Sequence, residues 1–194
     1  MAQPFSSEQL GEIKRRLIES AKRHALSTGM KKTSLDALTA DAGIAKSTFY
    51  KFYDCKEQLF LEIAGRWEAD IIASALNALR RCAGQSSKRR AAAFVCAAFE
   101  RVHQLGVTRF MREDFPLLGA LVSRDKAKEH MLHSAENILH TLKEEGIAFA
   151  EPDETVVSVV QLLYLSILNI GDFGDNYFPA LRVLVESACD RLVA

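Results

Sequence analysis

Apolar side chains recur every three or four residues along almost the whole chain, and this spacing constrains the fold more than any other feature. Residues at that spacing share one face of an α-helix, whereas strands alternate with a period of two. We find no convincing period-two run bounded by turn residues. The sequence therefore predicts an all-α protein.

The first helix is well marked at both ends. Ser6 and Gln9 have the spacing of a capping box, and Phe5 and Leu10 occupy the positions of a hydrophobic staple. An apolar stripe follows until Gly29, where a helix can end. We expect one helix between these signals.

Two short helices are predicted next. Thr33 and Asp36 repeat the start signal, and the helix that they open ends at Gly43. Helical spacing of apolar residues resumes at Ile44. Two short helices that meet at a tight glycine turn are typical of a helix-turn-helix.

A long helix is predicted from Lys56 to the break at Ala83–Ser87. At 1.5 Å per residue it forms a rod of roughly 37 Å, which can join two modules. The remaining helices are predicted at Lys88–Gly106, Thr108–Glu113, Pro116–Val122, Asp125–Glu145, Asp153–Asn169 and Tyr177–Val193.

The helix from Asp153 is apolar on more than one side, so it needs cover on more than one side. Either the helix is wrapped within one chain, or a second copy supplies the cover. We favour the second copy, which predicts a two-fold, four-helix interface. The predicted interface residues are Val156, Val160, Leu163, Ile167, Leu181, Leu184, Val185 and Ala188.

Charge is unevenly distributed, although 25 Lys plus Arg balance 25 Asp plus Glu over the whole chain. Residues 1–60 have ten Lys/Arg and seven Asp/Glu, which gives +3, so residues 61–194 carry −3. This modest asymmetry favours the N-terminal part for any binding of an anion.

Several function classes are disfavoured by patterns that the sequence lacks. The four cysteines have spacings that match neither a disulfide framework nor a zinc motif, and they suit reduced thiols. A signal-peptide pattern and an apolar stretch of about 20 residues are both missing, so we expect a cytoplasmic protein without membrane partners. No catalytic or phosphate-cradling motif appears, so neither an enzyme nor a cofactor is predicted.

One histidine cluster is compatible with a metal site. His130, His133 and His140 share a helix face with Asn137, and Glu136 is close by. That face lies opposite the predicted buried stripe of the helix. We therefore interpret it as solvated and predict no metal site.

The short helix after the glycine turn carries the residues of most interest. A recognition helix presents small or polar groups outward and keeps an apolar side against its neighbour. The outward set is Ala45, Lys46, Ser47, Thr48, Tyr50 and Lys51, and the inward pair is Phe49 and Phe52. The alternative is an ordinary helical hairpin with solvated Lys and Ser.

This region resembles the TetR family of bacterial transcriptional regulators. The resemblance rests on Ala42-Gly43-Ile44, Thr48-Phe49-Tyr50, Phe52-Tyr53 and Lys56-Glu57-Gln58-Leu59 at the spacing of the family. The chain departs from the family at Thr39, where an alanine is usual, and at Phe52, where many members have a histidine that contacts phosphate. Beyond this region the resemblance covers only length, all-α character and apolar pattern.

The resemblance implies a homodimer that binds a double-stranded DNA operator until a small-molecule effector releases it. It implies a helix-turn-helix DNA-binding domain over residues 1–55 and a helical ligand-binding and dimerisation domain over residues 56–194. The contacts to base edges that it implies are Lys46, Ser47 and Lys51. Thr48 and Tyr50 are implied to contact phosphate, or phosphate and base together. Thr33 and Lys56 are implied to contact phosphate only.

The effector itself is not identified by the sequence, because this region diverges greatly within the family. The candidates to line a ligand cavity are Trp67, Phe99, His103, Phe110, Tyr164 and Asn169. Each of them also fits a plain core or interface position.

A protein of another class fits part of the same pattern. It is a helical ligand-binding or interaction protein whose N-terminal hairpin does not read DNA. Such a protein predicts no steep dependence of binding on salt, whereas several phosphate contacts predict one.

Overall fold

A computed structural model describes residues 5–122 and 135–194 of the chain, and these are helical almost throughout. The all-α prediction is confirmed. The helices are α1 (Ser7–Ser27), α2 (Leu35–Asp41), α3 (Lys46–Phe49), α4 (Lys56–Arg81), α5 (Ser87–Leu105), α6 (Phe115–Val122), α7 (described over 135–144), α8 (Asp153–Ile167) and α9 (Tyr177–Leu192). A π-helical turn at Phe110–Asp114 precedes α6, and 3₁₀ turns at Ile170–Asp172 and Gly174–Asn176 join α8 to α9.

Helix α1 begins and ends as predicted. The Ser6 hydroxyl accepts a hydrogen bond from the Gln9 amide at 3.2 Å, and the Gln9 side chain accepts one from the Ser6 amide at 2.8 Å. The helix ends before Gly29, whose φ of 85° lies in the left-handed region that favours glycine. These local signals therefore determine the length of α1.

The start of α2 differs from the prediction by one residue. Ser34, not Thr33, caps the helix, since the Ser34 hydroxyl accepts a hydrogen bond from the Ala37 amide at 3.1 Å. The Thr33 hydroxyl is buried and donates to the Gly29 carbonyl at 2.7 Å. Thr33 thus fastens the loop before α2 instead of opening the helix.

Helix α4 packs against both halves of the molecule. The helix contacts α1 in the N-terminal part and α5 and α6 in the C-terminal bundle. Its side chains Phe60, Ile63, Trp67 and Leu79 are all buried in the core. One continuous apolar core therefore runs from α1 through α4 to α9. The helix begins at Lys56, where the second domain was predicted to start. Because its side chains pack against both parts of the molecule, the domain boundary at residue 56 stays a prediction.

Helices α8 and α9 bury one side within their own chain. Four of the eight residues predicted to form a two-fold interface are buried in this way: Val156, Ile167, Leu181 and Val185. This corrects the prediction for those four, because side chains packed inside the chain are not available to a second copy. Of the other four, Leu184 is 59% exposed, and Val160, Leu163 and Ala188 are half-buried.

The open side of the same two helices carries large apolar residues that the sequence analysis did not assign to the interface. Leu162 and Val183 are 67% and 64% exposed, and Leu165 is exposed as well. Leu184 joins them, so α8 and α9 each leave two large apolar side chains exposed. Within the part of the chain that the structure describes, no helix is both long enough and apolar enough to cross a membrane.

The predicted histidine cluster is described only in part. His130 and His133 lie outside the described residues. His140 is exposed, with its ring 3.5 Å from the Glu144 carboxylate. Among residues 5–122 and 135–194, no three potential metal ligands come together.

The environment of Gly29 leads to a stability prediction. A Cβ atom at Gly29 would lie 3.1 Å from the Asp114 carboxylate, whereas a Cβ at Gly106, which also has a positive φ, would meet nothing within 4 Å. Both alanine variants carry left-handed strain of about 1–2 kcal/mol. We expect Gly29→Ala to lower the free energy of unfolding clearly more than Gly106→Ala, measured by urea denaturation. Equal losses would mean that the approach of Asp114 to Gly29 contributes nothing.

Candidate nucleic-acid interface

The turn between α2 and α3 is fixed by a buried aromatic cluster. Phe49 is fully buried. The centroid of its ring lies 5.5 Å from that of Tyr53 and 5.7 Å from that of Tyr50. Phe52 is half-buried and packs against the same core. Since Phe49 and Phe52 face inward, the opposite side of α3 and of the turn after it faces solvent.

The solvent side presents four of the predicted DNA contacts. Lys46, Ser47 and Lys51 are exposed, and Tyr50 is 57% exposed. Two lysines on one short exposed segment give it a positive character, which suits a polyanion. Thr48 is buried instead, so its side chain does not share this surface.

The ammonium group of Lys46 has a partner on α2. It lies 2.7 Å from the Asp36 carboxylate, and the hydrogen bond to Asp36 raises the pKa of Lys46. Both side chains are more than half exposed. An ion pair of this kind contributes little to stability, so Lys46 can exchange Asp36 for another acceptor at small cost.

Lys56 begins α4 as predicted, but its ammonium group bonds to the chain itself. Its ammonium group donates to the Thr33 carbonyl at 2.6 Å and to the Met30 carbonyl at 3.1 Å. It is half-buried at the first turn of α4 and fastens the loop that precedes α2. These contacts give Lys56 an internal role. Neither Lys56 nor the buried Thr33 joins the exposed lysines.

The sequence analysis missed two further exposed lysines close to α2 in the chain. Lys31 and Lys32 are exposed in the loop immediately before α2. Adjacent basic residues directly ahead of a helix start were a signal in the sequence that could have identified them.

Helix α2 is attached to α1 by the Asp41 carboxylate. It accepts hydrogen bonds from Ser20 at 3.3 Å and Arg23 at 3.2 Å, and the His24 ring nitrogen lies 3.1 Å away. The hydrogen bond from Arg23 is the largest cause of a lowered pKa at Asp41. This carboxylate is therefore ionised and paired, and it holds α2 in register with α1.

A second carboxylate connects the end of the aromatic cluster to α4. Glu62 accepts from the Tyr53 hydroxyl at 2.8 Å and pairs with Lys14 at 3.1 Å and Arg66 at 2.9 Å. Partial burial raises the pKa of Glu62, but these hydrogen bonds outweigh it and lower the pKa overall. Three elements, α1, the segment after α3 and α4, thus meet at one anion.

A cavity of about 640 Å³ lies in the C-terminal bundle, next to α4. Of the six predicted ligand-binding residues it is lined by Trp67, Phe99, Phe110 and Tyr164. The other two do not line it. His103 is exposed with its ring against Phe178, and the exposed Asn169 donates to the Leu165 carbonyl at 3.0 Å.

The lining of this cavity is mostly apolar. Its polar side chains are Glu68, Asn137, Thr141, Gln161 and Tyr164. Burial is the main cause that raises the pKa of Tyr164 to about 12, and the charge of Glu68 adds to it. Tyr164 is therefore a neutral hydroxyl that can donate a hydrogen bond. A cavity of this size and lining suits a small, mainly apolar molecule.

Comparison with known proteins gives a family for the N-terminal part. Residues 17–63 match the model of the family described as bacterial regulatory proteins, tetR family. The matched segment spans the second half of α1, the α2–α3 unit and the first turns of α4. No curated protein matches the chain.

Solved structures share the fold over nearly the whole chain. FadR, a fatty acid degradation regulator from Bacillus halodurans, has a TM-score of 0.63 and 13% identity over 96% of each chain. PfmR, a TetR family transcriptional regulator from Thermus thermophilus, has a TM-score of 0.57 and 19% identity, over 91% of this chain and 98% of its own. A TetR-family transcriptional regulator from Pectobacterium atrosepticum has a TM-score of 0.58 and 18% identity, over 96% and 94%. At such identities the likeness shows the fold.

The two carbonyl contacts of Lys56 lead to a second prediction. Lys56→Met keeps most of the side chain but removes both hydrogen bonds, so we expect the free energy of unfolding to fall by about 1–2 kcal/mol. Lys51→Met is the matched control, because Lys51 is exposed and should change stability by only about 0.5 kcal/mol or less. Urea denaturation followed by circular dichroism measures both. Equal stabilities of the two variants would contradict the internal role of Lys56.

Proposed function

Because residues 17–63 place the chain in the TetR family of bacterial regulatory proteins, we propose that this DNA-binding regulator is a homodimeric repressor. A mainly apolar small molecule releases it from a roughly palindromic operator. One observation carries the proposal: Lys56 and Glu62 of α4 bond to the segments that flank α2 and α3, and the same helix continues as a wall of the cavity. A single helix therefore contacts both the DNA-reading unit and the space for an effector.

The exposed side of α3 and the following turn is the proposed reading surface. Lys46, Ser47 and Lys51 contact base edges in the major groove, where a lysine favours the two acceptors of guanine. Tyr50 contacts phosphate or base. Lys31 and Lys32, next to α2, supply further phosphate contacts, which position the protein without specifying the sequence.

Three residues are left out of this surface or given another role. The buried side chains of Thr33 and Thr48 are left out. Lys56 acts indirectly in this proposal, since its bonds to the Met30 and Thr33 carbonyls position the start of α2. The N-terminal domain is taken as residues 1–55, with α4 opening the ligand-binding and dimerisation domain at residue 56.

The dimer interface is proposed on the open apolar face of α8 and α9. Leu162, Leu165, Val183 and Leu184 are large apolar side chains that the chain itself leaves exposed. A second copy related by a two-fold axis would cover them with the same residues. Such a dimer presents two reading surfaces, which must sit about 34–36 Å apart to enter successive major grooves.

The effector is proposed to occupy the cavity beside α4. Trp67, Phe99 and Phe110 supply apolar and aromatic surface, and Tyr164 supplies a neutral hydrogen-bond donor. Binding regulates DNA affinity only if the effector prefers the arrangement that does not fit the operator. We propose no catalytic role, and a regulator of bacterial transcription acts in the cytoplasm, where the DNA is.

Selection of bound duplexes from a random DNA pool tests the reading surface. We expect a two-fold symmetric motif, and affinity that falls with salt at a slope of about −0.9 per neutralised phosphate. Lys46→Ala should relax the base preference at one position of each half-site. Lys143→Ala is the matched control, because Lys143 also pairs with an aspartate, Asp153, but lies far from α3.

Two outcomes would contradict this proposal. Failure of the folded protein to enrich any sequence would favour a helical binding protein that does not read DNA. An unchanged motif with Lys46→Ala would remove Lys46 from base readout and leave the other contacts to be tested singly.

Arginine substitutions on α8 and α9 test the dimer. Leu162→Arg or Leu184→Arg should give monomers in sedimentation velocity, because a charge at the centre of an apolar interface has no partner there. Leu26→Arg is the matched control, since Leu26 on α1 is also an exposed leucine, at 45%, but lies outside the proposed interface. A dimer that survives both substitutions would exclude this face.

A further inference from the structure

The turn at Phe110–Asp114 faces the cavity on one side. Phe110 is buried, with its ring 5.2 Å from that of Trp67 and 6.4 Å from that of Phe60. Phe110 and Met111 line the cavity, and so does Phe115, the first residue after the turn. A molecule that enters the cavity therefore contacts this turn directly.

The other side of the same turn holds the loop before α2. Asp114 is only 5% exposed, and its carboxylate accepts hydrogen bonds from the amides of Met30 at 2.9 Å and Lys31 at 3.5 Å. Gly29 permits this approach, because its missing Cβ would lie 3.1 Å from the carboxylate. A buried carboxylate needs such donors, so Asp114 and the loop are expected to move together.

A second contact strengthens the connection between the turn and α1. The Arg109 guanidinium, one residue before the turn, donates to the Ala25 carbonyl in the last turn of α1 at 2.9 Å. One short segment of the C-terminal bundle thus holds both the end of α1 and the loop that follows it.

The held loop determines where the reading surface sits. Asp114 binds its amide groups, while Lys56 binds the carbonyl groups of Met30 and Thr33. Ser34, the next residue, is the N-cap of α2, and α2 packs against α3. A displacement of Asp114 therefore reaches α2 and, through α2, the exposed lysines of α3.

We propose that Asp114 is a positioning residue that couples the cavity to the reading surface, an inference that rests on the proposed function. An occupant of the cavity displaces the Phe110–Asp114 turn, and the Asp114 carboxylate loses its hold on the Met30 and Lys31 amides. The loop then loosens, and α2 and α3 leave the position that fits the operator. Arg109 supports the same connection at the end of α1.

Cavity-filling variants test the coupling without a known effector. Ala64 lines the cavity on α4, one turn from Phe60 and from Trp67, the two α4 side chains that touch Phe110. Ala64→Phe therefore adds a ring beside the turn. Ala73→Phe is its control, because Ala73 lines the same cavity about 13 Å further along α4.

Amide hydrogen exchange of the full chain is the first readout. We expect Ala64→Phe and Asp114→Asn each to speed exchange at Met30 and Lys31 about tenfold. The control Ala73→Phe should leave both amides unchanged. Glu113→Gln should do so too, since Glu113 is an exposed carboxylate in the same turn. Unchanged exchange in Ala64→Phe, or the same acceleration in Ala73→Phe, would overturn the proposal.

Affinity for the selected duplex is the second readout. Ala64→Phe should weaken binding by about fivefold or more, within the usual range of allosteric coupling. In the Asp114→Asn background the same substitution should change binding by less than about twofold, because the connection is already broken. If the double variant instead loses affinity by the product of the two single fold-changes, Asp114 does not mediate the coupling. If Asp114→Asn does not fold, the same pair of measurements is made with Arg109→Met in place of Asp114→Asn.

The two readouts separate failure of this inference from failure of the proposed function. If the parent protein binds its duplex but the substitutions act independently, the coupling route is wrong and the regulator stands. If no variant binds any duplex, the proposed function fails, and the exchange rates at Met30 and Lys31 still decide whether the cavity and the loop are connected.

Discussion

The buried face of α4 is the constraint on which the rest of the molecule depends. Its side chains Phe60, Ile63, Trp67 and Leu79 are buried in one core, which also contains side chains of α1, α2, α3, α5 and α9. Complete burial of such a side chain contributes about 1.5–3 kcal/mol. Because one helix supplies these side chains along most of its length, neither half can shift relative to α4 without losing contacts of this size. The reading surface and the cavity are therefore connected through α4.

Two carboxylates of the N-terminal part are paired with partners within the scaffold. Asp41 is bound by Ser20 and Arg23, and Glu62 by Tyr53 and Lys14. Both carboxylates thus bind partners that fasten α1 to α2 and α4. A surface formed by exposed lysines can attract phosphate although the chain as a whole is neutral.

Local signals in the sequence predicted the elements well, and long-range contacts account for the rest. The capping box at Ser6 and the turn at Gly43 depend on neighbours a few residues away, so a single sequence contains them. The sides of α8 are different: periodicity shows that Ile167 and Leu162 are both apolar, but not which one its own chain covers. Asp114 reaches an amide 84 residues earlier in the chain, and no spacing rule marks such a pair. Burial of Thr48 also depends on how α3 rests on its neighbours.

The length of α4 makes small changes near the cavity effective at the reading surface. Its 26 residues span about 39 Å, so a tilt of about 5° displaces one end by about 3 Å. Hydrogen bonds to base edges do not survive such a displacement. The Asp114 and Lys56 contacts add a second connection at the same end, since both hold the loop before α2. A tilt of α4 moves Lys56, and a shift of the Phe110–Asp114 turn moves Asp114. Both residues hold the loop before α2, so either movement alters that loop. Both movements therefore act on α2, and through it on the position of Lys46 and Lys51.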